Sequence, residues 1–309
     1  MDDVLFVINP LAASGRADRV WMQLAARHPA LRRAAVIRTA DPIAATRLLI
    51  ERLKPSIRRV VAIGGDGTLH HTANVLLSLP APEKRSLGLV PAGTGSDLAR
   101  GLRLARQPQL ALDRALDGET VDLDVLSLTH GDTRRYAVNV ASAGLSVPVV
   151  AAVSQRRRRG PVAYFRAALE AVRRETPPNA RVIVDGEPWY EGPLLLLALA
   201  NGCRFGRGMR IAPDARADDG RLQVVLVEPA PLARLLPWLP TLYAGWHYAA
   251  PFVRHRAART VRVEPVDGTR SLTEADGDLS LPLPVNVSVV PGALRLRGLT
   301  PSATARRRR

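Results

Sequence analysis

Along the first 120 residues, short apolar runs alternate with stretches whose apolar positions recur every three or four residues. The runs at 4–8, 34–38, 60–63 and 87–90 read as strands, and the spacing at 17–27, 43–53, 69–79 and 98–102 predicts helices. Strands and helices in this alternation imply βαβ units and a mainly parallel sheet. The pattern changes near residue 121. Short strand-like runs then dominate, at 123–128, 136–140, 181–184, 194–200, 222–227, 260–263 and 285–290, with Gly, Pro and Asp between them. Helical spacing returns at 161–174 and 232–243. This second pattern predicts an antiparallel β domain with helical insertions. The domains expected are 1–121 and 122–289, followed by a basic tail at 301–309.

Composition adds limits. A chain of 309 residues is long enough for two cores, and with 47% apolar but only 4% aromatic residues those cores are built from Ala, Val and Leu. The formal net charge of +16 suits nucleic acid, an anionic membrane surface or a phosphate-rich substrate, although arginine bias alone supplies much of it. The single cysteine, Cys203, excludes a disulfide framework or thiolate metal site within one chain. The acidic Met1-Asp2-Asp3 start is unlike a signal peptide. The longest apolar run, 194–200, is far shorter than the ~20 residues of a spanning helix. The expectation is a cytoplasmic protein that meets the inner face of a membrane peripherally.

Three loops carry candidate chemistry. Gly64-Gly65-Asp66-Gly67-Thr68 follows a strand and opens a helix. Glycines there allow close backbone approach to a phosphate, and the helix N-terminus offers free N–H groups to an anion. Asp66 would repel a phosphate and is read as a ligand to Mg²⁺ or to its water. Asn9-Pro10 and Ser14-Gly15-Arg16 follow the first strand, and Pro91-Ala92-Gly93-Thr94-Gly95-Ser96-Asp97-Leu98-Ala99-Arg100 follows the fourth. Taken singly, each could be an ordinary turn. Three at one edge of a parallel sheet would line one crevice. No Gly-Lys-Ser/Thr loop is present, which excludes a P-loop enzyme.

With these loops the chain resembles the diacylglycerol kinase catalytic-domain family, which includes bacterial lipid kinases and sphingosine and ceramide kinases. The likeness extends through Ala200-Asn201-Gly202, the run from Gly206 to Pro213, Asp218-Asp219-Gly220-Arg221-Leu222, and Asp276-Gly277-Asp278, where the family has D-G-E. The resemblance implies an α/β nucleotide-binding domain of NAD-kinase-like type and a C-terminal antiparallel β-sandwich lipid domain. It also implies an active site in the cleft between them and a last strand, within 290–300, returning to the first domain. ATP would be bound through Asn9, Gly15, Thr39, Gly64, Gly65, Asp66, Gly67, Thr68, Leu69, His70, Gly93, Thr94 and Asp97. Mg²⁺ would be held by Asp219 with the backbone carbonyls of Arg216 and Arg221, and Asp97 and Asp122 would join an acidic network. The general base would be Asp278, with Asp276 close by. The reaction implied is ATP-dependent phosphorylation of a membrane-lipid hydroxyl, with diacylglycerol the first candidate and a sphingoid base, ceramide or other lipid the alternatives.

The chain departs from the family at Ser96, where Asn is usual, at His71, where Glu is common, and at Asp278, where Glu is usual. Asp-Asp-Gly and Asp-Gly-Asp also suit plain hairpin turns. The arginine run at 156–159 reads equally as a solvated face or a membrane contact. Trp238, Tyr243, Trp246 and Tyr248 read as core packing in preference to an interfacial belt, because Pro237 and Pro240 interrupt an amphipathic helix. A soluble nucleotide kinase of the NAD kinase type remains a competing reading, since it shares Gly-Gly-Asp-Gly-Thr. Specific nucleic-acid binding is not expected, because aromatic and basic residues are not interleaved. A homodimer is left open.

Overall fold

The computed structural model describes residues 1–79, 85–93, 96–154, 161–266, 268 and 271–299. Two compact units emerge: Met1–Leu123 with the segment from Gly292 onward, and Asp124–Pro291. In the first, strands β1 (Val4–Ile8), β2 (Ala35–Arg38), β3 (Arg59–Gly64) and β4 (Ser86–Pro91) run parallel in the order β2-β1-β3-β4. Parallel neighbours need crossover connections, supplied by helices α1 (Arg16–Arg27), α2 (Pro42–Arg52) and α3 (Asp66–Ser78); α4 (Asp97–Gly101) and α5 (Pro108–Asp117) follow β4. β1 and β4 are buried at every residue, the pattern of strands covered on both faces. Phe6, Ile8, Val61 and Ile63 pack with Val20, Trp21 and Leu24 of α1 and Leu112 of α5. The Phe6 and Trp21 rings lie 5.2 Å apart.

The order β2-β1-β3-β4 fixes where a ligand can enter. The chain leaves β1 toward β2 and leaves β3 toward β4, on the opposite side. The carboxyl ends of β1 and β3 therefore form a topological switch point, where the two following loops diverge and leave a crevice.

The second unit is built from β5 (Thr120–His130, entering from the first), β6 (Thr133–Ala137), β7 (Val140–Gly144), α6 (Ser146–Ser154), α7 (Pro161–Arg174), β8 (Asn179–Val184), β9 (Glu187–Pro193), β10 (Leu196–Ala200) and β11 (Leu222–Val227). It continues through β12 (Val253–Ala258), β13 (Thr260–Pro265), β14 (Leu272–Ala275), β15 (Asp278–Pro282) and the start of β16 (Val285–Arg297). One sheet, β12-β11-β10-β7-β14-β15, is antiparallel throughout. The facing sheet contains β16, β13, β8 and β9, with β5 and β6 attached at β16. Leu126, Val182, Val263 and Val287 of this sheet meet Leu197, Leu199, Val224 and Leu226 of the other, which makes a sandwich core. The last residues of β16 belong to the first unit, where Leu296 and Arg297 pair in parallel with Leu87 and Gly88 of β4. Among the described residues no helix is long and apolar enough to cross a membrane.

Several elements differ from the pattern-based expectation. α5 was not anticipated because two of its three buried positions, Ala111 and Ala115, are alanines and give a weak apolar signal. α6, β7, β9, β12, β14 and β15 were likewise missed, the run expected at 136–140 reaching only the first residue of β7. The helix expected over 232–243 breaks into short turns at Leu232–Leu235, Leu236–Trp238 and Thr241–Ala244, because prolines 237 and 240 remove backbone donors. The core reading of the aromatics in that stretch also needs correction, since Tyr243 is 55% and Trp246 72% exposed.

Candidate active site

The first locus lies at the switch point. After β1 the chain turns on Asn9, whose Oδ1 accepts from Leu11 N (3.0 Å) and whose carbonyl accepts from Ala12 N (3.0 Å). Ala13, Ser14 and Gly15 then all take positive φ, 49°, 57° and 86°, so the loop curls immediately before α1, which starts without a side-chain cap. Thr39 sits beside it: its N–H donates to Ile8 O (3.1 Å), and its hydroxyl accepts from Asp41 N (3.1 Å). Asn9, Gly15 and Thr39 thus share the carboxyl edge of β1.

The loop after β3 is braced against the loop after β4. Ala92 N and Gly93 N both donate to Gly64 O, at 2.7 and 3.0 Å. A Cβ on Gly93 would lie 2.3 Å from Gly65 Cα, and one on Gly64 would lie 2.2 Å from Thr68 Oγ1. Those glycines are required by protein packing alone. Gly67 is different. It lies in the first turn of α3, which has no side-chain cap, and among the described residues a Cβ there would meet nothing within 4 Å. Glycine costs about 1 kcal/mol against alanine inside a helix, so its presence beside open space fits a bulky group approaching the helix N-terminus. Asp66 Oδ2 accepts from Asp97 N (3.1 Å), which ties the start of α3 to the start of α4. Ser96 precedes α4 at φ 51°, ψ 48°, a left-handed conformation in which Asn is enriched. Leu69 is 2% exposed and His70 7%, both inside the fold. His71 is half-buried, its ring edge-on to that of His70. Thr94, the arginine run at 156–159 and the tail at 301–309 lie outside the described residues.

The second locus lies in the second unit, on the loop leading into β11. Arg221 N donates to Asp219 Oδ1 (3.0 Å), and Arg216 Nε lies 3.6 Å from Asp218 Oδ1. Asp124, 3% exposed on β5, joins the loop: its N–H donates to Ala217 O (2.8 Å), and its Oδ2 accepts from Gly220 N (2.7 Å). Burial pushes the Asp219 carboxyl above the usual carboxylate range. The charges of Asp124 and Asp218 push the same way, against the Arg221 N–H bond and Arg216. A partly buried carboxylate with two further carboxylates beside it offers hard oxygen donors of the kind that suit Mg²⁺. Asp122, expected in an acidic network, pairs with Arg295 (3.0 Å). Asp124 was missed. It lies in a strand and outside any recognised motif, and only the fold brings it to the loop.

The third locus is the tight turn between β14 and β15. Asp276 has φ 53° and spends its carboxylate on backbone: Oδ1 accepts from Asn139 N (2.9 Å) and Val140 N (3.0 Å), and Oδ2 from Val138 N (2.8 Å). Glu274, 3% exposed, holds the same turn from inside. Its Oε2 accepts from Gly277 N (2.8 Å), and its Oε1 accepts from the Ser142 hydroxyl, itself hydrogen-bonded to Ser146 Oγ (2.8 Å). Asp278 is half-buried at the first position of β15. Both the hairpin and the carboxylate-bearing turn are therefore present in one element.

Two family models cover nearly the whole chain: the diacylglycerol kinase catalytic domain over residues 3–128, and the YegS C-terminal NAD kinase beta sandwich-like domain over 139–298. A diacylglycerol kinase of Mycobacterium tuberculosis is 31% identical over 298 residues, 95% of this chain and 94% of its own. The chain belongs to the diacylglycerol kinase family. A Chromohalobacter salexigens protein named "Probable lipid kinase YegS-like" is 36% identical over 184 residues, 59% of this chain and 57% of its own. Among solved structures, a diacylglycerol kinase from Bacillus anthracis matches with a TM-score of 0.67 at 18% identity, over 98% of each chain. An NAD kinase from Archaeoglobus fulgidus in complex with ATP matches with a TM-score of 0.51 at 13% identity, over 98% of this chain and 96% of its own. These likenesses establish the fold as NAD-kinase-like α/β followed by an antiparallel sandwich. Membership makes the chain an enzyme of the lipid-kinase class, and a kinase family implies use of ATP.

Proposed function

We propose that the protein transfers the γ-phosphate of ATP to a hydroxyl of a membrane lipid, with diacylglycerol the first candidate. The observation that carries this reading is the match, across both units, to a relative named diacylglycerol kinase. The switch-point loops support it, because the uncapped start of α3 and the space beside Gly67 suit a polyphosphate. In this reading the first unit binds the nucleotide and the second the lipid. Mg²⁺ supplies charge neutralisation when bound, and Asp219 with the carbonyls of Arg216 and Arg221 would hold a structural ion. Asp278 accepts the proton of the attacking hydroxyl. Asp276 is the weaker choice, because three backbone N–H groups already occupy its oxygens. Positioning and charge stabilisation dominate phosphoryl transfer, so a single base on a braced turn is enough.

The test is a radiolabelled-ATP assay with purified protein against diacylglycerol, monoacylglycerol, sphingosine, ceramide, phosphatidylglycerol and NAD. Labelled phosphatidic acid is the expected product. Label found only on NAD would move the protein to the soluble-nucleotide branch, and label found on another lipid would keep the class and change the substrate.

A further inference from the structure

The connection between β11 and β12 is far longer than two adjacent antiparallel strands require, and it is firmly mounted. Leu242 and Tyr248 pack against Val140, Ala198 and Val225 on the outer face of the six-stranded sheet. Trp238 meets Phe252 edge-on at 6.2 Å, His247 Nε2 donates to Ile211 O (2.9 Å), and Arg210 N donates to Leu242 O (2.7 Å). The Arg210 guanidinium also donates to Ala244 O (3.2 Å). Gly245, at φ 83°, turns the chain against Pro213, where a Cβ would lie 2.8 Å from Pro213 Cγ.

From this rigid base three large apolar side chains project outward: Leu236 (43% exposed), Tyr243 (55%) and Trp246 (72%). The contrast within the chain is sharp, since Trp21 is 9% exposed in the core and Trp238 is partly buried against Phe252. Isolated exposed apolar residues are ordinary, but a tryptophan and a tyrosine three positions apart, both directed into water from a fixed platform, are not. Tyr and Trp are the side chains favoured where an apolar phase meets water, because each joins a large ring to a polar tip. The charge pattern identifies the phase. Within the segment itself, 232–249, the sequence has no Asp or Glu and one arginine, the exposed Arg234; the next arginines lie on or beside β12 and β13, where Arg254 pairs with Glu228 and Arg262 with Glu264. A protein partner of mixed charge gains nothing from such a stretch; an anionic lipid surface does.

The geometry points to the 232–249 segment as a membrane-docking surface, with Trp246, Tyr243 and Leu236 entering the headgroup region of an anionic bilayer. This rests on the lipid-kinase reading for its purpose but not for its test. The full-length protein is mixed with vesicles of phosphatidylcholine and phosphatidylglycerol, and the parent is compared with the double variant Trp246→Ala/Tyr243→Ala. Losing two interfacial rings should weaken vesicle partition by roughly tenfold or more. Binding should also fall in vesicles of phosphatidylcholine alone and with rising salt. A Trp246→Phe variant isolates the signal: the parent's emission should shift to the blue on vesicles and be quenched by brominated acyl chains, and the variant should lose most of that change. Phosphorylation of diacylglycerol in vesicles should drop in the double variant, while phosphorylation of a short-chain diacylglycerol dispersed in water should not. Equal partition of parent and double variant, or Trp246 emission indifferent to vesicles, overturns the assignment. So does a parent dimer that the double variant converts to monomers without change in vesicle binding, which would make the patch a contact between copies. If the parent phosphorylates neither form of diacylglycerol yet partitions as expected, the docking surface stands and the substrate reading fails.

Discussion

Replacing Asp276 by Asn separates a structural carboxylate from a catalytic one. The native side chain takes three backbone N–H bonds at 2.8–3.0 Å, from residues 138, 139 and 140. An amide of the same shape can accept the two at one oxygen but must present an NH₂ to the third donor. The orphaned N–H costs about 1–3 kcal/mol, and turning two charge-assisted bonds into neutral ones costs about 1 kcal/mol each. The expected loss is roughly 3–5 kcal/mol, a large part of the stability of an ordinary domain. Urea unfolding at neutral pH, followed by tryptophan emission and by circular dichroism, measures it as a fall in midpoint at constant slope. A loss below about 1 kcal/mol, with turnover collapsed, would refute the argument, because the carboxylate would then be free to act as the base.

Asp278→Asn should do the reverse, lowering turnover by about two to four orders of magnitude with ATP affinity and urea midpoint unchanged, and Asp278→Glu should retain activity; parental turnover in Asp278→Asn would move the base elsewhere. Gly67→Ala meets no atom of the described residues within 4 Å and should stabilise α3 by up to about 1 kcal/mol while weakening ATP binding in calorimetry; unchanged affinity would show that no phosphate approaches there. Ser96→Asn suits the left-handed backbone and should raise the thermal midpoint by the equivalent of up to about 1 kcal/mol, with no gain expected only if the loop relaxes. Asp219 has a folded pKa raised above its unfolded value, so without metal the native state holds the proton more tightly and stability falls as pH rises from the unfolded pKa through the folded one. Thermal melts with chelator should show that fall, Mg²⁺ should remove it, and Asp219→Asn should abolish both effects.

Much of the first unit was legible because its strands are unbroken apolar runs and its loops carry glycines. Residues 4–8 and 87–90 could hardly be anything but buried strands, and Gly64-Gly65-Asp66-Gly67-Thr68 marks a strand-to-helix turn without help from tertiary structure. The sandwich was legible as a class but not strand by strand. β14 and β15 read Leu-Thr-Glu-Ala and Asp-Leu-Ser-Leu-Pro, and buried Thr273 and Glu274 defeat any rule that equates buried with apolar. Glu274 is tolerated there because Ser142 and Gly277 N satisfy its oxygens. Trp246 failed in the opposite sense: an aromatic in an apolar stretch was read as core, whereas the proline-broken turns leave it outside. The purpose of Asn201 was invisible for another reason, since its partners lie 63 and 77 residues away.

Those partners explain the Ala200-Asn201-Gly202 element without any ligand. Asn201 is fully buried, and its Nδ2 donates to Val138 O and to Asp124 O, both at 2.8 Å. A primary amide carries two N–H groups on one rigid plane, so Asn can bridge two carbonyls where Asp, Ser or Leu cannot. Gly202 follows because a Cβ there would fall 2.0 Å from Asn139 Oδ1. The N–H groups of Asn201 and Gly202 both donate to Asn139 O, at 2.9 and 2.8 Å. On one side, then, Asn201 holds the backbone of Asp124, whose carboxylate accepts from Gly220 N beside Asp219. On the other it holds residue 138, whose N–H donates to Asp276, next to the turn that carries Asp278. The loop proposed to bind Mg²⁺ and the turn proposed to carry the base are thus fixed to the same buried amide through short bonds. Neither can shift by an ångström without stretching a bond in a place where water cannot replace it. An ion at Asp219 would act on the reaction through this framework, by holding the turn in place, without needing to touch the phosphate.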